Sequence, residues 1–139
     1  FPYTTLFRSV AVCDPSITTN LAGTWTLQSV SYRNYNGTEA AFGSEYSIKI
    51  TQLAPGIFRC SDFFGGWYDQ RAGYGARYAC VGNFQLTADG GINILSGNVA
   101  GWGDSIDDAQ NASYDAETNT LTWDVYYAGS MFFHVVLTK

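Results

Sequence analysis

The last twenty residues constrain this chain most. Thr120-Leu121-Thr122-Trp123-Asp124-Val125-Tyr126-Tyr127 alternates apolar and polar, and Met131-Phe132-Phe133-His134-Val135-Val136-Leu137 alternates again after Ala128-Gly129-Ser130. Strand side chains repeat with period two, so Leu121, Trp123, Val125 and Tyr127 share one face, as do Met131, Phe133, Val135 and Leu137. A three-residue loop sets 127 opposite 131, 125 opposite 133, 123 opposite 135 and 121 opposite 137. Both apolar faces then coincide, whereas a two-residue loop would turn one of them into water. The chain must therefore close with a half-buried antiparallel pair.

The rest is consistent with that ending. Trp25 and Leu27 alternate with Thr24, Thr26 and Gln28, which predicts a first core strand over 22–32. Asn34-Tyr35-Asn36-Gly37 is a turn, because Asn-Gly supplies the positive φ that tight turns need. Tyr46, Ile48 and Ile50 mark a second strand, and Ala54-Pro55-Gly56 turns it into Ile57-Phe58-Arg59-Cys60. Residues 77–86 read as a strand, with Gly82 a bulge or a point of close approach. Asp89-Gly90-Gly91 turns into Ile92-Asn93-Ile94-Leu95, and Ser113-Tyr114-Asp115 is a short strand. About eight strands at regular spacing, with no amphipathic helix, predict an all-β fold: an antiparallel eight-stranded barrel or sandwich.

At 139 residues, 17% of them aromatic and 14% charged, the chain has the composition of a β domain with a substantial core. Its net charge of -5 argues against a nucleic-acid partner or an anionic membrane surface, both of which need a basic footprint. No apolar run reaches the ~20 residues of a transmembrane helix. Residues 1–9 resemble a translated sequencing adapter. Residues 1–20 are accordingly read as a non-native or upstream-domain remnant with a linker, and 21–139 as a single domain. Cys13, Cys60 and Cys80 are wrongly spaced for zinc. Cys60 and Cys80 both point inward, either as a disulfide or as two buried thiols.

Two loops hold most of the unusual residues. The first, 62–75, carries Phe63, Phe64, Trp67, Tyr68, Asp69, Arg71 and Tyr74 among glycines. The second, 101–108, carries Trp102 and Asp104. Aromatic planes beside acids and Arg are what a sugar-binding surface requires, since a ring covers the apolar face of a pyranose while polar groups take its hydroxyls. The competing reading is that Phe63, Phe64 and Trp67 plug the mouth of the barrel. Asp104, Asp107 and Asp108 suggest calcium, but their spacing does not match a calcium loop, and a solvated acidic loop is the simpler reading. His134 faces outward opposite Asp124, where a cross-strand pair explains it without catalysis. No nucleophile elbow, metal motif or cofactor motif is present, so a non-enzymatic role is expected, with no cofactor.

Leu21-Ala22-Gly23-Thr24-Trp25, Gly65-Gly66-Trp67-Tyr68, Trp102-Gly103-Asp104, Tyr114-Asp115 with Thr120-Leu121-Thr122-Trp123, and Tyr127-Ala128-Gly129 with Leu137-Thr138-Lys139 occur in a familiar order. In this it resembles the C-terminal lipocalin- or calycin-like β domain of Bacteroidetes surface lipoproteins that accompany SusC/SusD glycan-uptake pairs. Gly23-Thr24-Trp25 is similar to the Gly-x-Trp opening of lipocalins. The resemblance implies a cell-surface, outer-membrane lipoprotein whose anchor lies upstream, with SusC/SusD-type proteins and polysaccharide as partners. The function expected is an accessory domain that binds or positions polysaccharide, with Trp67, Tyr68, Tyr74 and Trp102 stacking on sugars and Asp69, Arg71 and Asp104 bonding hydroxyls. A structural spacer and a carrier of a small apolar ligand are the alternatives.

Overall fold

A computed structural model describes residues 13–139; the adapter-like segment, residues 1–9, lies outside them. The described chain is all-β and antiparallel, with twelve strands: β1 Gly23–Leu27, β2 Tyr32–Tyr35, β3 Thr38–Ala41, β4 Ser47–Ala54, β5 Ile57–Cys60, β6 Cys80–Leu86, β7 Ile92–Ile94, β8 Asn98–Val99, β9 Asp104–Ser105, β10 Asp108–Asp115, β11 Thr120–Tyr127 and β12 Met131–Thr138. The order across the sheet is β10-β11-β12-β1-β4-β5-β6-β8-β9, with β7 beside β6 and the β2–β3 hairpin beside β12. Helix is confined to a π turn, Trp67–Arg71, and a 3-10 turn, Ala76–Tyr78.

The terminal hairpin has the register its alternation dictates: Tyr127 faces Met131, Val125 faces Phe133, Trp123 faces Val135 and Leu121 faces Leu137. Ala128 and Gly129 both take positive φ, 57° and 69°, to close it. The strand expected over 22–32 is broken in two. β1 pairs with the far end of β12 and β2 with its near end, and the chain bulges between them. Ser31 bridges the break: its hydroxyl accepts from the Val136 amide at 2.9 Å and donates back to the Val136 carbonyl at 3.3 Å. The strand expected over 77–86 begins three residues later, because 76–78 winds into the 3-10 turn.

The sheet curls until its edges almost meet, yet no continuous ladder closes it into a barrel, so of the barrel and the sandwich expected, the closed barrel is not formed. A single bridge, Gly91 to Ser113, joins the β7 side to β10. Beyond it, Asn111 adopts φ 55° and the β10 register shifts between Gln110 and Ser113. A bulge of this kind bends its strand away from a neighbour. The result is a groove of about 740 Å³ between residues 92–98 and 105–112. The Ile106 amide, bonded to the Gly97 carbonyl at 3.0 Å, pins its other end.

The interior is filled. Trp25, Trp123, Phe58, Phe63, Phe64, Phe84 and Phe133 are fully buried. The two fully buried indoles each donate to a carbonyl: Trp25 to Leu21 at 2.8 Å and Trp123 to Phe63 at 2.9 Å. Phe64 stacks on Phe133 at 4.4 Å, and Phe63 packs edge-on against Trp123 at 5.2 Å. Such contacts add to the burial of large apolar side chains, the dominant favourable term in folding. Cys60 and Cys80 are buried as free thiols, and burial pushes both well above the usual thiol range. They are packing groups, not nucleophiles.

Candidate functional site

The loop from Ser61 to Gly75 is fixed by one carboxylate. Asp62 is buried, and its two oxygens accept from the amides of Phe64 (2.9 Å), Cys80 (2.9 Å) and Gly66 (3.0 Å). This ties the loop to the start of β6 and drives Phe63 and Phe64 into the core. Gly65 and Gly66 turn the chain with φ 64° and 93°. A Cβ on Gly65 would come within 2.9 Å of the Leu27 side chain, so the turn also depends on a close approach. Burial pushes the Asp62 carboxyl up to about 7, opposed by the three amide hydrogen bonds.

Trp67 follows this turn and is 3% exposed. Its ring packs edge-on against Phe42 at 5.0 Å. The guanidinium carbons of Arg33 and Arg71 lie 4.5 and 4.0 Å from the centre of its ring system. Trp67 is thus part of the plug, as the competing reading of the sequence had it. It offers no free face to a ligand, because these neighbours already cover it.

The residues the structure does bring together are Tyr68, Tyr74 and Trp102, joined by Tyr78. Trp102 stands at nearly right angles to Tyr68 (4.8 Å, 87°) and to Tyr74 (6.1 Å, 89°), while Tyr68 and Tyr74 are nearly parallel at 6.2 Å and 14°. Tyr78 packs against Trp102 at 4.8 Å and Tyr74 at 5.7 Å. The two source loops are sewn together by the Gly101 amide, which donates to the Arg77 carbonyl at 2.7 Å. Tyr74 is 56% exposed and Trp102 45%. The half-buried Tyr68 and Tyr78 support them from below, so the exposed rings form an aromatic corner at the rim.

The polar residues expected with this corner divide. Asp104 is exposed at its edge, where Oδ1 accepts from the buried Tyr127 hydroxyl at 2.6 Å. Burial, and then this bond, push the Tyr127 phenol up. Arg71 sits on Trp67 and donates from Nε to the Phe42 carbonyl at 3.1 Å. Asp69 lies away from the aromatic corner, in a hollow it shares with Lys49, Arg59 and Gln70. His134 bonds Asp124 at 2.6 Å across the hairpin, and Asn111 donates to the other Asp124 oxygen at 2.8 Å. That closes a surface network in which the register alone brings the partners together. Among the described residues no group of three or more acids, His or Cys is arranged to hold a metal.

A family model whose description reads "-like, C-terminal domain" matches residues 14–139. The chain belongs to that family. Its fold is that of the lipoprotein BT2262 from Bacteroides thetaiotaomicron, to which it is similar with a TM-score of 0.82 and 46% identity, over 94% of this chain and 64% of that one. This chain thus spans under two thirds of the length of BT2262. No curated protein sequence matches it.

In this member of the family, reasoning from sequence missed three rim residues. Tyr78 falls inside the strand expected over 77–86, where nothing marks it as a rim residue. Arg33 falls just past the first strand expected over 22–32 and Tyr35 in the Asn-Gly turn, where nothing local marks Arg33 as a neighbour of both Tyr35 and Trp67. Register is what places them: Arg33 faces Phe133 and Tyr35 faces Met131. Arg33 therefore stands on the core-facing side of β2, where the sheet runs out into the mouth.

Proposed function

We propose that this is a non-enzymatic domain of a cell-surface lipoprotein that binds or positions polysaccharide through the corner formed by Tyr74 and Trp102. The observation that carries the reading is two large rings left exposed side by side on buried aromatic supports. Exposed aromatic planes are costly to leave in water unless something covers them, and a pyranose presents a matching apolar face. Asp104 and the backbone of the glycine-rich loops supply hydrogen-bonding groups beside the rings. The lipoprotein character follows from the likeness to BT2262. Outer-membrane placement facing outward, in company with SusC/SusD-type proteins, belongs to the same proposal.

The spacer reading rests on a different observation: the core is complete without a ligand. The carrier reading has less support, because seven large aromatic side chains occupy the space such a ligand would use. Titration calorimetry against a panel of soluble polysaccharides separates the two that remain. At least one glycan should bind, and Trp102→Ala and Tyr74→Ala should each weaken it about tenfold, near 1.4 kcal/mol. Binding that is indifferent to both substitutions, or no binding across the panel, would favour the spacer.

A further inference from the structure

Arg33 and Arg71 are an unusual pair in an acidic chain. Acidic residues outnumber Lys and Arg twelve to seven, so carboxylate partners are plentiful. Yet the one side-chain ion pair among the described residues is His134 with Asp124. Both guanidinium groups instead lie over the same indole, Trp67, at 4.5 and 4.0 Å. Two like charges gathered on one ring repel each other, while each is attracted to the ring face. Arg33 also lies over Tyr35, at 5.2 Å, and its Nε–H is buried with no acceptor. A buried donor left unpaired is rare and costly. Among the described residues, neither guanidinium at this spot beside Trp67 is ion-paired to a carboxylate of the protein.

The spot adjoins the aromatic corner. Tyr68 is the link: burial raises its phenol, while the charge and hydrogen bonding of Arg33 oppose that rise, and its ring meets Trp102 at 4.8 Å. On the other side Tyr35 is 44% exposed. The rim therefore runs from one exposed ring, Tyr35, past two arginines to the exposed pair Tyr74 and Trp102. Asp104 is the nearest acid identified at the corner, and it is already engaged by Tyr127.

We infer that the polysaccharide is acidic: its sugar rings stack at the corner while a carboxylate on the polymer pairs with Arg33 and Arg71. This rests on the glycan-binding reading above and adds the charge of the ligand. Guanidinium is suited to the task, since its planar fork bonds a carboxylate while its face stays on an aromatic ring. The chain's net charge does not forbid it, because charges more than about 8 Å away are largely screened at physiological salt.

The test compares one polymer in two charge states, polygalacturonate and its methyl-esterified form, with poly-glutamate as an anion lacking sugar. Wild-type protein should bind polygalacturonate at least about tenfold more tightly than the ester, and added salt should shrink that ratio. Arg33→Gln with Arg71→Gln should bring the ratio towards one, and Arg33→Lys with Arg71→Lys should keep part of it. The lysine pair guards against a loss that comes from misfolding. Equal binding of the two forms would overturn the charge assignment and leave the aromatic corner standing. Poly-glutamate binding as tightly as polygalacturonate would overturn the saccharide class. No binding to either polymer, with a neutral glycan still bound, would overturn this inference; no binding to any glycan would overturn the glycan-binding reading with it.

Discussion

Single residues decide how the mouth of this fold is built, and Asp62 decides most. Its carboxylate holds three amides that would otherwise be orphaned at the turn of the loop, while burial raises its pKa from 3.8 to about 7. A raised pKa means that the folded state binds the proton more tightly than the unfolded state does. The associated stability is then fully present below about pH 4 and is lost as pH rises towards 7, at up to about 1.4 kcal/mol per pH unit. Urea unfolding between pH 4 and 7.5 should show that decline in the wild type and a flatter profile in Asp62→Asn. A flat wild-type profile would mean that the three N–H donors balance burial, and a profile rising with pH that they outweigh it. Nothing local in the sequence marks Asp62 as the anchor, since Asp is at home in any turn. The burial of Trp67 was one of two readings its loop allowed, but the side chains that cover it, Phe42, Arg33 and Arg71, were hidden, being far off in the chain or across a helical turn.

At the scale of elements, the sequence was most legible where alternation and loop length act together. The β11–β12 register follows from both, and it also places His134 opposite Asp124. β10 was read as three residues and has eight, because the bulge at Asn111 breaks the alternation that would have revealed it. Gly82 was expected to be a bulge or a close approach, and it is the latter. A Cβ there would sit 1.8 Å from the Ser96 carbonyl oxygen, a clash with backbone that no rotamer relieves. Gly82→Ala should therefore destabilise the protein by about 1–3 kcal/mol or more, read from the urea midpoint. A shift below about 0.5 kcal/mol would mean that the segment at Ser96 moves freely away from β6.

At the scale of the molecule, the twelve strands curl round a core of aromatic rings, and a single bridge, with no continuous ladder, joins the β7 side to β10. Composition predicted the class, and strand spacing the antiparallel architecture. Closure was not legible, because it depends on how a bulge aims β10 relative to β7. The same geometry brings the 62–75 and 101–108 loops to one end, which neither loop's sequence could show. It also leaves Trp102 as the one exposed tryptophan of four, with Trp25 and Trp123 at 0% and Trp67 at 3%. Iodide quenching of tryptophan emission thus reports almost entirely on the proposed binding corner. Saturating polygalacturonate should protect that emission from iodide, and Trp102→Phe should abolish the quenchable fraction. Unchanged quenching at saturating concentrations of every polysaccharide tried, acidic or neutral, would contradict glycan binding at Tyr74 and Trp102.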